Sequence, residues 1–358
     1  MLTFIRPFLL LIIGVFAVNV VGAQEGVKQG PKQNPDKHVP QINHEHGAHD
    51  HQMTPEQMLT LRGKIPLYDA YTDEQIMMGM SRMKNLSGWM GEGAREGKIG
   101  ILGLAHGFKE PGNTQFRTAF TKMHGRYPAT YALGMAMMTS DHIQTAINDL
   151  EAAGAETIVV MPTTTADNST LTRQWDYIFG REEVSAYLDV ARVETNARLV
   201  FTDTPTAHPI VAEIMLDYAL EKSTDPANEA VVILGHGPQS EEDNAKELEI
   251  LARHAEYIKA QAGFHDVVFG NVQDDTPPDV RAANVVQIRA MVQEHLDMGH
   301  KVIAVTTNLV QSGITGRLET DIGDLAEFNN KGLMLHPRFE AWIDEVVEAG
   351  LKDSSASL

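Results

Sequence analysis

The chain has 358 residues, 43% of them hydrophobic, enough for one large or two medium domains with a substantial core. Its formal charge of −19 would repel a polyphosphate backbone, which argues against nucleic acid as a partner. With no cysteine, disulfides, iron–sulfur ligation, thiolate zinc sites and cysteine nucleophiles are all removed. Any metal must then be held by histidine, carboxylate or backbone oxygen, which suits cobalt, iron, nickel or zinc; 17 methionines leave a thioether copper site open.

Residues 1–23 read as a cleaved secretory signal: Arg6, an apolar run from Phe8 to Val18, then Val21-Gly22-Ala23 where a signal peptidase reads small side chains. The alternative is an uncleaved anchor, but the run is shorter than the ~20 residues needed to span hydrocarbon, so no stable membrane insertion is expected. Export without disulfides points to a bacterial periplasm. Residues 24–54 are polar and rich in histidine (His38, His44, His46, His49, His51) and predict a disordered tether that gathers divalent ions weakly, or else a plain solvated linker. Residues 55–97 regain helical spacing and predict a helical extension, with Met77, Met78, Met80 and Met83 as core filler rather than copper ligands.

From Lys98 onward, short apolar runs alternate with longer amphipathic stretches, the signature of parallel strands with helical crossovers. Strands are predicted over 99–105, 129–133, 157–161 and 198–202, then over 230–234, 266–269, 301–305 and 332–335, with helices over 241–261 and 278–297 between. The order repeats. Leu104-Ala105-His106-Gly107 recurs as Leu234-Gly235-His236-Gly237, with Asn113 and Asn244 following. Ala207-His208-Pro209 recurs as Leu335-His336-Pro337. Two duplicated domains, 98–224 and 225–358, explain this, with a linker near 223–229.

His106 and His236 each stand where an apolar strand stops and a glycine lets the chain turn, the place where open α/β sheets collect ligands. Each could bind metal or accept a proton near neutral pH; the bland alternative is a histidine bonded only to loop carbonyls. His208 and His336 precede a proline at the start of a helix, where closing the helix is as natural a role as ligation. His124, His142, His254, His265, His295 and His300 lie on polar helix faces and predict solvated side chains. Lys109, Arg117 and Arg173 are candidates to pair with substrate carboxylates, Arg173 close in sequence to Asn168; each could equally be a surface charge. No Walker-type glycine loop is present, so no nucleotide is expected.

His106-Gly107-Phe108-Lys109-Glu110-Pro111-Gly112-Asn113, then Leu133-Gly134-Met135-Ala136, then Ile158-Val159-Val160-Met161-Pro162, resembles the sirohydrochlorin chelatase family. Val232-Ile233-Leu234-Gly235-His236-Gly237-Pro238, with the helix opened by Glu241-Glu242-Asp243-Asn244, looks like the second half of its duplicated members. The resemblance implies an α/β protein of two duplicated chelatase-like three-layer domains, their parallel sheets facing a cleft. It further implies ATP-independent insertion of Co²⁺ or Fe²⁺, as a substrate, into a sirohydrochlorin-like tetrapyrrole, with His106 as metal ligand and base and His236 as its counterpart. Where family members commonly carry a second histidine, this chain has Asn168, and the second half has Asn308 in a segment also without histidine. Asp167, His208 or His236 could make good that loss. Otherwise the chain is a non-catalytic periplasmic metal-binding or delivery protein on the same fold.

Overall fold

The computed structural model describes residues 43–46, 53–81 and 84–356, with side chains over 53–81 and 84–352. All belong to one compact unit, Gln41–Leu358. The signal segment, His38, His49, His51 and Met83 lie outside the described residues.

Strand β1 (Asn43–His46) is followed by helices α1 (Pro55–Lys64) and α2 (Asp73–Ser81) and strand β2 (Asn85–Trp89). Two expectations are corrected here. His44 and His46, read as part of a disordered tether, lie in a strand, and the extension read as helical ends in one. β1 pairs antiparallel with β2, and β2 pairs antiparallel with β4. Backbone pairing with neighbouring strands overrides weak local preference. Met58, Leu61, Ile76 and Met80 bury α1 and α2 against Tyr187 and Leu188, while Met78 remains 54% exposed.

The first half then runs β3 (Ile99–Ala105), α3 (Gly112–Ala119), α4 (Thr121–His124), β4 (Ala129–Leu133), α5 (Asp141–Ala152), β5 (Thr157–Pro162), α6 (Thr170–Ile178), β6 (Arg198–Phe201) and α7 (Pro209–Leu220). The second runs β7 (Glu229–Gly235), α8 (Glu241–Ala262), β8 (Asp266–Asn271), α9 (Pro278–Asp297), β9 (Lys301–Thr306), α10 (Gly313–Ile322), β10 (Glu327–Phe328) and α11 (Pro337–Ala356). The first sheet is ordered β1-β2-β4-β3-β5-β6 and the second β10-β9-β7-β8. In each half the first strand lies between the second and third, all parallel, and the fourth lies outside the third. The duplication read from the motifs is therefore repeated in the topology.

Each central strand is buried on both faces, and alternate residues serve different layers. Ile101 and Ala105 of β3, Val231 and Ile233 of β7 and Ile303 of β9 enter one core shared by the two halves. Leu102 and Leu104 face an outer layer over α5 and α6, and Val232 and Leu234 face another over α9 and α10. The last helices are exchanged between halves. α7 packs on α8 and β9, whereas α11 packs on α4, β5 and β6. Arg126 and Lys122 of the first half both pair with Asp344 of α11, the latter at 2.8 Å. The boundary at 224/225 thus divides the sequence but not the packing.

Three further expectations change. Residues 332–335 form a 3₁₀ turn (Leu333–Leu335), and the fourth strand is the two-residue β10 just before it. A short apolar run cannot be assigned to strand or helix by periodicity alone. Here Gly332 passes so close to the preceding loop that a Cβ would lie 2.4 Å from the Val310 Cα. The 223–229 segment is no open linker: Glu229 is buried and its carboxylate accepts from Ser223 and Thr224. His124, His142, His254 and His295, expected to be solvated, are buried. His124 Nε2 takes part in hydrogen bonds at 2.8 Å with both Gly91 O and Gly93 N, and His254 Nε2 donates to Thr206 O at 2.9 Å.

Candidate active site

β3 and β7 are the strands at which each sheet reverses its order, and His106 and His236 follow directly on them. Gly107 and Gly237 turn the chain with φ of +88° and +75°, in the left-handed region that glycine enters without steric cost. His236 Nδ1 donates to Gly237 O at 2.9 Å. A carbonyl can only accept, so Nδ1 of neutral His236 carries the proton and Nε2 keeps the lone pair. The bond to a loop carbonyl, read from sequence as the alternative to a functional role, is present at His236, and it leaves the second nitrogen available.

Both imidazoles line one cavity of about 280 Å³ built from the two halves. Thr164, Thr165, Ser169 and Tyr187 come from the first half; Asp275, Asn308 and Ser312 come from the second. The His106 ring stands edge-on to Phe108, centroids 4.6 Å apart. His106 opens partly into the cavity but is otherwise ringed by protein. That burial, followed by nearby His236, holds its pKa below the ordinary histidine value, while Asp275 pulls in the opposite direction. Asp275 Oδ2 lies 3.7 Å from His236 Nε2. Burial first, and then Asp275, push the Tyr68 phenol up to about 12 and raise that of Tyr187. Tyr187 is therefore a protonated donor at the cavity wall, held there by the extension: Lys64 Nζ donates to Ser185 O at 2.9 Å and to Tyr187 O at 2.5 Å.

Among the described residues no group of three or more His, Asp or Glu is already arranged to hold a metal ion. His106, His236 and Asp275 share a cavity without converging on a single point, so a bound ion would have to draw them together.

The other candidates sit elsewhere. His208 caps α7, its Nδ1 accepting from Ile210 N at 3.2 Å, and lines a different cavity. His336 Nδ1 accepts from Arg338 N at 3.2 Å, and its Nε2 lies 3.3 Å from Asp217 Oδ2. Asn168 donates from its backbone and side-chain nitrogens to Glu247 Oε1, at 2.9 and 3.1 Å, and Arg173 pairs with Asp243 at 2.9 Å. These two residues tie the halves together through α8. Arg117 pairs with Glu110 at 3.5 Å and lies over the Tyr131 ring; Lys109 is exposed. None of these residues lines the cleft cavity.

Asp275, Tyr187 and Asn308 also line the cavity, and none of them is marked as a ligand by the sequence motifs. The signal for Asp275 was an acidic pair at the end of β8, just before Pro277-Pro278. Its neighbour Asp274 is spent on Arg281 at 2.7 Å. Asn308 stands where the resemblance led one to look for an imidazole, and its buried Nδ2 has no hydrogen-bond partner among the described residues.

No family model matches the chain, and no curated protein matches it in sequence. Among solved structures it is similar to SirB from Bacillus subtilis with Fe³⁺, at a TM-score of 0.53 and 15% identity over 73% of this chain and 98% of that one. A multi-domain Deinococcus radiodurans protein with structural similarity to chelatases gives a TM-score of 0.43 and 16% identity, over 70% of this chain and 55% of that one. The fold is chelatase-like, with duplicated α/β halves. No described helix is long and apolar enough to cross a membrane.

Proposed function

We propose that the chain inserts a divalent metal, Co²⁺ or Fe²⁺, into a sirohydrochlorin-like tetrapyrrole without nucleotide, and that it does so after export to the periplasm. The carrying observation is the meeting of His106 and His236, from equivalent strand ends of the two halves, in one cavity. The SirB likeness, to a structure that holds Fe³⁺, supports a metal as substrate. Metallation exchanges two pyrrole N–H protons for one M²⁺, so the site must both offer the ion and accept protons. His106 suits this because its lowered pKa keeps the ring neutral, with a lone pair for either task. Asp275 beside His236 adds a carboxylate for the second proton or for the ion. The histidines of 24–54 would raise the local metal concentration.

The test is to incubate the protein with Co²⁺ and sirohydrochlorin and follow the absorption change against a protein-free control. Acceleration by the wild type and its loss in His106→Ala are expected. A rate equal to the control, with Co²⁺ still bound, would replace insertion by metal delivery.

A further inference from the structure

A second and larger cavity, about 490 Å³, opens beside the ends of β5 and β6, and no residue lines both it and the cleft. Its size is within the range of small-molecule sites, about 300–1,000 Å³. The floor is apolar: Leu104, Val160 and Trp175 belong to the outer core layer over α5 and α6. Phe179 and Phe201 add aromatic wall, their rings edge to face at 5.2 Å.

The charges around this wall are mostly negative. Asp167, Asp176 and Asp203 line the cavity against Arg181 alone, and Arg181 is committed to Asp176 at 3.0 Å. Its guanidinium also lies 4.6 Å over the Phe201 ring. One organic cation is thus already packed here between a carboxylate and an aromatic face, and two carboxylates are left over. Asp203 is exposed and has no hydrogen-bond or ion-pair partner among the described residues; Asp167 accepts only from the Thr204 hydroxyl through its side chain. The start of α7, which would otherwise favour an anion, is blunted because His208 takes up the Ile210 N–H. Thr202, nine-tenths buried in the wall, has a hydroxyl with no partner among the described residues. The chain's charge of −19 raises the local concentration of cations generally.

We propose that this cavity binds a small organic cation, an ammonium or guanidinium group on an apolar body, with Asp203 and Asp167 as its ion partners and the aromatic wall around its body. A bare metal ion fits less well, because no three ligating side chains converge among the described residues. The proposal does not rest on metal insertion at the cleft.

The experiment titrates the full chain with 1,4-diaminobutane and with tetramethylammonium, by calorimetry and by the fluorescence of Trp175 against Trp175→Phe. Saturable binding of one molecule of at least one cation is expected, weakened at least ~10-fold in Asp203→Asn, retained in Asp203→Glu and unchanged in His106→Ala. Circular dichroism of each variant controls for folding. No saturable binding of either cation, an affinity unaltered in Asp203→Asn, or binding of acetate in place of both cations would each overturn it.

Discussion

The two halves share a topology and a histidine at the same strand end, yet they build the turn after it differently. In the first half, Asn113 accepts from Phe108 N at 2.8 Å and closes the loop, and a Cβ on Gly107 would meet nothing nearer than 3.5 Å. In the second, Asn244 accepts instead from Asn271 at 2.9 Å, and this pair crowds the turn, so that a Cβ on Gly237 would lie 2.6 Å from the Asn271 Cβ. The imidazoles differ too. Both are half-buried, but His106 stands beside an aromatic edge and His236 beside a carboxylate. Duplication kept the backbone conformation the turn requires and let its polar supports drift. The outcome is a cleft with one imidazole beside an aromatic ring facing an imidazole–carboxylate pair.

The largest effect should come from the glycines. Gly107→Ala suffers only the left-handed backbone, about 1–2 kcal/mol. Gly237→Ala adds a clash with the Asn271 Cβ, which no side-chain rotation can move, so the backbone must shift and strain the Asn271–Asn244 bond, and we expect about 3 kcal/mol or more. Urea midpoints at unchanged m-value measure both. Equal losses would show that the second turn relaxes freely and that the halves are not distinct in this respect.

His106→Ala should weaken Co²⁺ binding by at least ~10-fold with little change in thermal midpoint, since the ring lines a cavity rather than filling the core. His236→Ala should cost less, because Asp275 remains beside the vacated place. Calorimetric titration of the two variants ranks them. The reverse order would move the principal ligand to the second half, and an unfolded His106→Ala would return that residue to a packing role.

Much of this was legible in the residues because backbone demands leave local traces. Apolar runs marked the central strands, and the repeated His-Gly marked both switch points. What escaped depends on contacts distant in sequence. The exchange of α7 and α11 between halves leaves no periodicity of its own, since an amphipathic helix looks alike whichever sheet it covers. His124, His142, His254 and His295 stand among polar neighbours yet are buried. Arg173 and Asn168 read as substrate contacts because nothing nearby in sequence announces that Asp243 will pair with the one and Glu247 accept hydrogen bonds from the other. Asp275 shares a cavity with His106 only after two sheets are brought face to face.

The smallest effect bears most directly on the asymmetry of the cleft. Burial lowers the His106 pKa, His236 lowers it further, and Asp275 raises it. His236→Gln removes the neighbour that lowers the His106 pKa and should move its titration upward; Asp275→Asn removes the one that raises it and should move it downward. Proton-detected titration of the histidine ring resonances in metal-free protein resolves both shifts. Stability follows the same sign. A histidine whose folded pKa lies below its unfolded value of about 6.5 binds fewer protons when folded, so its contribution is fully present above that pH. It is lost as pH falls toward the folded value, over a window that His236→Gln should narrow and Asp275→Asn should widen. Shifts of the same sign in both variants would mean that structural rearrangement, not charge, governs His106, and the opposed influences of His236 and Asp275 across the cleft would fail as its explanation.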